Sequence, residues 1–227
     1  MKAMLLAAGR GERLRPLTDR IPKALVEAGG KPLIAWHLER LAASGCREAV
    51  INVSHLGEQI VERMGDGRRF GLRIAYSREP QPLETAGGIA QAASLLGPEP
   101  FLLVNADIYC EKDFRPLLAR SLGDRLGHLV LVPNPAHRAG GDFTLEGDRV
   151  GSAPAPRYTY AGIALLSPRL VESVQPGSKA PLAPLLYAAA DRGLLGGELY
   201  GGLWQDVGTV ERLAELEKVL ATRHERS

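Results

Sequence analysis

The stretch that decides the fold reads Ala3-Met4-Leu5-Leu6-Ala7-Ala8-Gly9-Arg10-Gly11-Glu12-Arg13-Leu14-Arg15-Pro16-Leu17-Thr18. Its first six residues are continuously apolar, as a strand buried on both faces of a parallel sheet requires. The chain then leaves the strand through small residues into a loop carrying Gly9 and Gly11 among Arg10, Arg13 and Arg15. Ligands of open α/β sheets bind beyond the carboxyl ends of the strands, so the loop is in the right place for one. Glycine lets backbone N–H groups approach phosphate oxygens, and an arginine fork binds those oxygens in pairs. The standard nucleotide motifs are absent: GxGxxG would need a glycine at Leu14, and no GK[ST] follows. By spacing alone the segment is equally an anion cradle or a surface turn with solvated charges.

Outward from this stretch, apolar runs of strand length alternate with segments of helical period. Pro32 opens a helix striped by Leu33, Ile34, Leu38 and Leu41, with Gly45 at its C-terminal end. Strands are expected at residues 49–53, 73–76, 101–105, 128–132, 160–166 and 198–204, and helices at 56–64, 87–96, 114–121 and 184–192. Glu146-Gly147-Asp148 makes a hairpin turn inside 143–150. Val210, Leu213, Leu216 and Leu220 stripe a last amphipathic helix capped by Thr209. The alternation predicts right-handed βαβ units and a mostly parallel central sheet. A Gly/Pro-rich interruption at residues 134–158 reads as a small inserted hairpin module, because strands resume on both sides. The whole chain, 1–227, is read as one domain.

Composition agrees with an ordinary globular α/β protein: 227 residues, 45% apolar and 24% charged. Lys+Arg 28 against Asp+Glu 26 gives +2 with the signs interleaved, which excludes an extended nucleic-acid footprint. Cys46 and Cys110 form neither a CxxC nor a disulfide framework, as expected of thiols in a reducing compartment. The apolar start is too short for a secretory core and runs straight into Gly9, Arg10 and Glu12. No run approaches the roughly 20 apolar residues of a membrane helix. A cytoplasmic protein is expected.

Four further segments could carry chemistry. Pro22-Lys23 holds a lysine behind the loop, a point charge for a polyphosphate or an ordinary exposed lysine. Asn105-Ala106-Asp107 and Trp204-Gln205-Asp206-Val207-Gly208-Thr209 each put a carboxylate at a strand end. Two carboxylates on one sheet edge hold Mg²⁺ while leaving places for phosphates and water; singly, each would more often cap a turn or helix. Leu83-Glu84-Thr85-Ala86-Gly87-Gly88 puts glycines early in a helix at about 1 kcal/mol each relative to alanine. Close approach to a flat base and tight helix–sheet packing explain them equally well. Histidines 37, 55, 128, 137 and 224 lack zinc-ligand spacing, and no GxSxG or Cys–His arrangement supports a nucleophilic hydrolase.

Taken jointly, Leu6-Ala7-Ala8-Gly9-x-Gly11-x-Arg13-Leu14-Arg15-Pro16-Leu17-Thr18, Pro22-Lys23, Asn105-x-Asp107 and Trp204-x-Asp206-Val207-Gly208-Thr209 resemble the signature of the sugar-1-phosphate nucleotidylyltransferases. The resemblance spans nearly the whole chain. It implies a Rossmann-like, glycosyltransferase-A-type three-layer fold and Mg²⁺-dependent transfer of a nucleotidyl group from a nucleoside triphosphate to a sugar 1-phosphate. Leu83-Glu84-Thr85-x-Gly87-Gly88-Ile89, Gly65-Asp66-Gly67-x-Arg69-Phe70-Gly71-Leu72, Asn134-Pro135 and Gly141-Asp142-Phe143 are similar to a uridylyl-transferring branch serving bacterial cell-wall sugars, which implies UTP. Carried onto this chain, the resemblance implies that Gly11, Glu12, Arg13 and Lys23 hold the triphosphate, with Arg13 and Lys23 catalytic. Thr85, Gly87 and Gly88 would border the base, Asn105 and Gly141 the sugar, and Asp107 and Asp206 would hold Mg²⁺. Many relatives carry Glu-Lys-Pro before the strand at 160–166, whose lysine meets the sugar phosphate. Here Gly151-Ser152-Ala153-Pro154-Ala155-Pro156-Arg157 has no lysine, leaving Arg157 or the metal for that task.

Guanylyl-transferring relatives that act on mannose 1-phosphate carry similar Thr-Ala-Gly-Gly segments and are the alternative enzyme. A non-catalytic nucleotide-sugar-binding subunit is the alternative of another class. It would be expected to lack one of Arg13, Lys23, Asp107 and Asp206, and all four are present. A nicotinamide dehydrogenase fails on the missing third glycine.

Overall fold

A computed structural model describes residues 1–154 and 156–224; Ala155, inside the inserted module, and the side chain of His224 lie outside the described residues. In chain order the strands are β1 (Ala3–Leu6), β2 (Glu27–Ala28), β3 (Lys31–Pro32), β4 (Glu48–Val53), β5 (Arg73–Arg78), β6 (Phe101–Asn105) and β7 (Ile108–Cys110), then β8 (Gly127–Val132), β9 (Thr144–Glu146), β10 (Arg149–Gly151), β11 (Thr159–Leu166), β12 (Leu195–Leu199) and β13 (Trp204–Asp206). The helices are α1 (Leu33–Ala43), α2 (Gly57–Met64), α3 (Glu84–Gln91), α4 (Ala93–Leu96), α5 (Arg115–Leu118), α6 (Ala183–Asp191) and α7 (Val210–His224).

One nine-stranded sheet runs β5-β4-β1-β6-β11-β8-β12-β10-β9. The β5-β4-β1-β6 half is wholly parallel, as the strand–helix alternation predicts. The other half is mixed: β11 lies antiparallel between β6 and β8, although β8 and β12 pair in parallel. The β9–β10 hairpin, turned at Gly147 (φ 60°), continues the sheet through Arg149 opposite Gly196. The helix expected at 87–96 begins earlier and breaks in two at Ala92. The strand expected at 198–204 is likewise two, because Gly201-Gly202 separates β12 from β13.

β1 is buried on both faces. Ala3 and Leu5 join Ile34 and Leu38 of α1 and Ile60 of α2, whereas Met4 joins Ile89 of α3 and Leu186 of α6. The alternation of Cβ directions along the strand thereby makes three layers out of one apolar run. A third cluster, including Leu14, Val26, Tyr109, Val207 and Leu216, seals α7 against the β2–β3 and β7–β13 ribbons. β1 has β4 on one side and β6 on the other, so the chain's switch of direction leaves a crevice at their carboxyl ends. Among the described residues no helix is long and apolar enough to cross a membrane.

Candidate active site

The floor of that crevice is set by register. Leu6, the last residue of β1, lies between Asn52 of β4 and Asn105 of β6. Beyond it the loop folds into short 3-10 turns at Glu12–Leu14, Leu17–Asp19 and Lys23–Leu25. Gly11 enters the first of these with φ 65°. The space for a Cβ there is taken by Thr18 Cγ2 at 2.9 Å and Lys23 Cβ at 3.0 Å. Glycine is therefore what lets the loop lie directly on Lys23. Thr18 Oγ1 donates to the Gly11 carbonyl at 2.8 Å, and the fully buried Leu14 pins the turn from below. Gly11, Glu12, Arg13 and Lys23 all line a cleft of about 880 Å³.

Lys23 Nζ donates to Asp107 Oδ2 at 2.6 Å, and its side chain is only 11% exposed, so the stem is packed and the ammonium is aimed. Asp107 follows β6 and precedes β7, which pairs antiparallel with β13, Asp206 standing opposite Ile108. The Val207 N–H donates to the Asp107 carbonyl at 2.8 Å. The two aspartates thus lie one register step apart, Asp107 just before β7 and Asp206 at the end of β13. Asp206 faces an adjoining cavity of about 790 Å³ that shares Arg13 with the main cleft. Both of its carboxylate oxygens accept from Arg212 Nη1, at 2.6 and 2.7 Å, and His137 Nε2 stands 3.3 Å from one of them. Aspartate carboxylates are hard oxygen donors of the kind Mg²⁺ takes when phosphates and water complete its shell. No group of three His, Cys, Asp or Glu that could cage a metal occurs among the described residues.

A buried polar brace holds the cleft's other wall. Asn52 Oδ1 accepts from Ala7 N at 2.7 Å, and Asn52 Nδ2 donates to Glu79 Oε1 at 2.7 Å. Glu79 Oε2 accepts from Leu83 N at 2.9 Å. The brace ties the exit of β1 to the entry of α3, so the loop that follows β1 and the 82–85 segment are coupled through one hydrogen-bonded chain.

Thr85 and Asn105 line the cleft. Gly87 and Gly88 sit behind its wall. A Cβ on Gly87 would collide with the Ser178 carbonyl oxygen, and one on Gly88 would lie 2.7 Å from Glu79 Oε1. Packing thus gives each of these glycines a reason, and neither lines the main cleft. Gly141 (φ 58°) lies against the Arg157 backbone and Asn134, outside the residues lining either cavity. Arg157 donates to the Ser152 and Ala153 carbonyls, which turns its guanidinium onto its own loop. The cations lining the main cleft, among the described residues, are Arg10, Arg13, Lys23 and Lys179.

Sequence reasoning passed over Arg212, His137, Lys179 and the Asn52–Glu79 pair. It also missed Glu84 as a backbone exception: its φ of 61° is left-handed, and its carboxylate pairs with Lys179 at 3.4 Å at the cleft mouth. His37 is fully buried on α1, with Nε2 2.7 Å from the Ile108 carbonyl, one residue beyond Asp107. Burial holds its imidazole down to about 4, against the smaller upward pull of that hydrogen bond.

Residues 2–139 match the nucleotidyl transferase family. The N-acetylmuramate alpha-1-phosphate uridylyltransferase of Neisseria meningitidis serogroup B is 48% identical over 227 residues, covering 96% of this chain and 97% of that protein. The mannose-1-phosphate guanylyltransferase catalytic subunit beta of Danio rerio is 32% identical over 92% of this chain, which spans only 61% of its length. A provisionally assigned glucose-1-phosphate thymidylyltransferase from Bacillus anthracis superposes with TM-score 0.86 at 20% identity, covering 97% of this chain and 95% of that one. That likeness bears on the fold alone.

Proposed function

Because this chain belongs to the nucleotidyl transferase family, we propose that it transfers a uridylyl group from UTP to N-acetylmuramate 1-phosphate, giving UDP-N-acetylmuramate and pyrophosphate. The observation that carries the reading is the Lys23–Asp107 contact under the Gly11 loop, with Asp206 one register step away. An oxygen of the sugar 1-phosphate attacks the α-phosphorus in line. The new P–O bond forms as the bond from the α-phosphorus to the bridging oxygen breaks, and pyrophosphate leaves with that electron pair. The attacking oxygen is already anionic, so no general base is needed.

What the protein must supply is approach of two polyanions and offset of the charge that develops between them. Gly11, Glu12 and Arg13 hold the triphosphate, and Lys23 is fixed by its packed stem where phosphate charge accumulates. Thr85, Gly87 and Gly88 border the base, and the two glycines also let α3 close, Gly87 against residues 178–180 and Gly88 against the Asn52–Glu79 pair. Asn105 faces the sugar from the end of β6, and Gly141 shapes the inserted module beside it. Asp107 and Asp206 would hold Mg²⁺, which adds positive charge between the phosphates when bound. In this scheme Lys179 joins Arg13 and Lys23 as the cations that offset the acceptor phosphate in place of a module lysine. UTP as donor places the reaction in the cytoplasm, returning a cell-wall amino sugar to its nucleotide-activated form.

The test is pyrophosphate release across UTP, dTTP and GTP, each against the 1-phosphates of N-acetylmuramate, N-acetylglucosamine, glucose and mannose. The expected maximum is UTP with N-acetylmuramate 1-phosphate. A maximum at GTP with mannose 1-phosphate would replace the assignment, and no magnesium-dependent release from any pair would remove it.

A further inference from the structure

Gly208 has an unusual pair of neighbours. A Cβ built on it would collide with Arg212 Nη2 and lie 3.2 Å from Arg13 Nη2. Two guanidinium groups thus reach toward the same glycine, at the junction of the main cleft and the adjoining cavity. Only one of them has an anionic partner. Arg212 Nη1 is on both oxygens of Asp206 and also donates to His137 Nε2 at 2.6 Å, while Arg13 has no hydrogen bond or ion pair to an acidic side chain among the described residues.

The backbone beneath Arg212 is fixed. Its N–H donates to Thr209 Oγ1 at 3.4 Å, and its carbonyl accepts from Gln205 Nε2 at 2.7 Å. Its side chain is as enclosed as that of Lys23, but every side-chain bond it makes runs through Nη1 while Nη2 lies against Gly208, so a change of partner asks for rotation of the guanidinium head and leaves the helix in place. Like charges brought this close repel unless an anion lies between them, and a guanidinium fork suits a phosphate oxygen pair. Asp206 is the carboxylate the proposed reaction needs for its metal, yet Arg212 occupies both of its oxygens.

We infer that Arg212 is a second polyphosphate-binding arginine that exchanges partners. Asp206 holds it before the ligands arrive, and when a divalent cation takes Asp206, Arg212 turns to the leaving pyrophosphate beside Arg13. This deepens the proposed reaction and rests on it for the identity of the anion. Metal and triphosphate each remove the other's competitor, so their binding is coupled through one side chain.

The experiment uses two titrations on the full chain that need no turnover. Mn²⁺ binding without nucleotide is followed by electron paramagnetic resonance, and inorganic pyrophosphate binding with Mg²⁺ present is followed by calorimetry. Arg212→Met is expected to tighten Mn²⁺ several-fold, because Asp206 loses its competitor, and to weaken pyrophosphate by about tenfold or more, because a charged hydrogen-bond donor is gone. Arg212→Lys keeps the charge without the fork and is expected to fall between wild type and Arg212→Met for pyrophosphate. A merely structural Arg212 would leave pyrophosphate binding unchanged or weaken both ligands together, and either result overturns the exchange. Wild-type chain that shows both shifts against its variants but no nucleotidyl transfer would keep the exchange and refute the reaction.

Discussion

His37 gives the sharpest stability prediction. Its imidazole is fully buried under β7 and held down to about 4, whereas an unfolded chain's histidine titrates near 6.5. Above the unfolded value both states carry a neutral ring and the group contributes nothing to pH dependence. As pH falls from 6.5, the unfolded state takes up a proton that the folded state refuses, so stability drops with falling pH until the folded value near 4 is reached. At about 1.36 kcal/mol per unit, the full loss is on the order of 3 kcal/mol. Carboxylates held low do not confuse the upper part of this window. Glu198, held down to about 2 chiefly by its hydrogen bond with His128, loses its contribution only as pH falls from 4.5 toward that value. Urea unfolding at about pH 7 and about pH 4.5 should therefore differ by roughly 2–3 kcal/mol in the wild type. His37→Leu should lower stability at neutral pH by about 1 kcal/mol through the lost Ile108 hydrogen bond and flatten the profile. A variant whose pH dependence matched the wild type's would refute the reasoning.

Two other predictions concern the wall at α3. Gly87→Ala meets the backbone of Ser178, which cannot give as a side chain can, so it should cost about 2–3 kcal/mol by urea unfolding. An unchanged midpoint would show that the 178–180 segment is not docked there. Glu84→Gly removes a left-handed glutamate costing about 1–2 kcal/mol, at the expense of chain entropy and an exposed ion pair. The net expectation is a melting temperature unchanged or raised by a few degrees, and a marked fall would show that the Lys179 pair outweighs the backbone cost.

The glycine–arginine loop after β1 was legible because it is local. Six apolar residues, two glycines and the arginines between them lie within one short stretch, and its position at a strand end follows from the fold class. Asp107 and Asp206 were legible as strand-end carboxylates, but their adjacency depends on β7 pairing with β13 across about 100 intervening residues, which no period in the sequence encodes. The same holds for Arg212, which reads as a solvated helix charge until the helix is placed beside Gly208. The Asn52–Glu79 brace was hidden because a buried asparagine and glutamate look like exposed ones on the page. The direction of β11 escaped for a related reason: a strand buried on both faces has the same apolar run whichever way it points. The packing at Gly87 was illegible because the 178–180 segment that meets it lies about 90 residues away in the chain.

The central claim is that Arg13, Lys23, Asp107 and Asp206 act together on a metal-bound polyphosphate. Its most direct measurement is pyrophosphate release from UTP and N-acetylmuramate 1-phosphate with Mg²⁺, set beside thermal melting, for wild type, Asp107→Ala and Arg13→Ala. The predicted result is release by the wild type that is lost by about 10²–10³-fold or more in each variant while the melting temperature barely moves. Variants that melt like the wild type and keep near-normal release would contradict it.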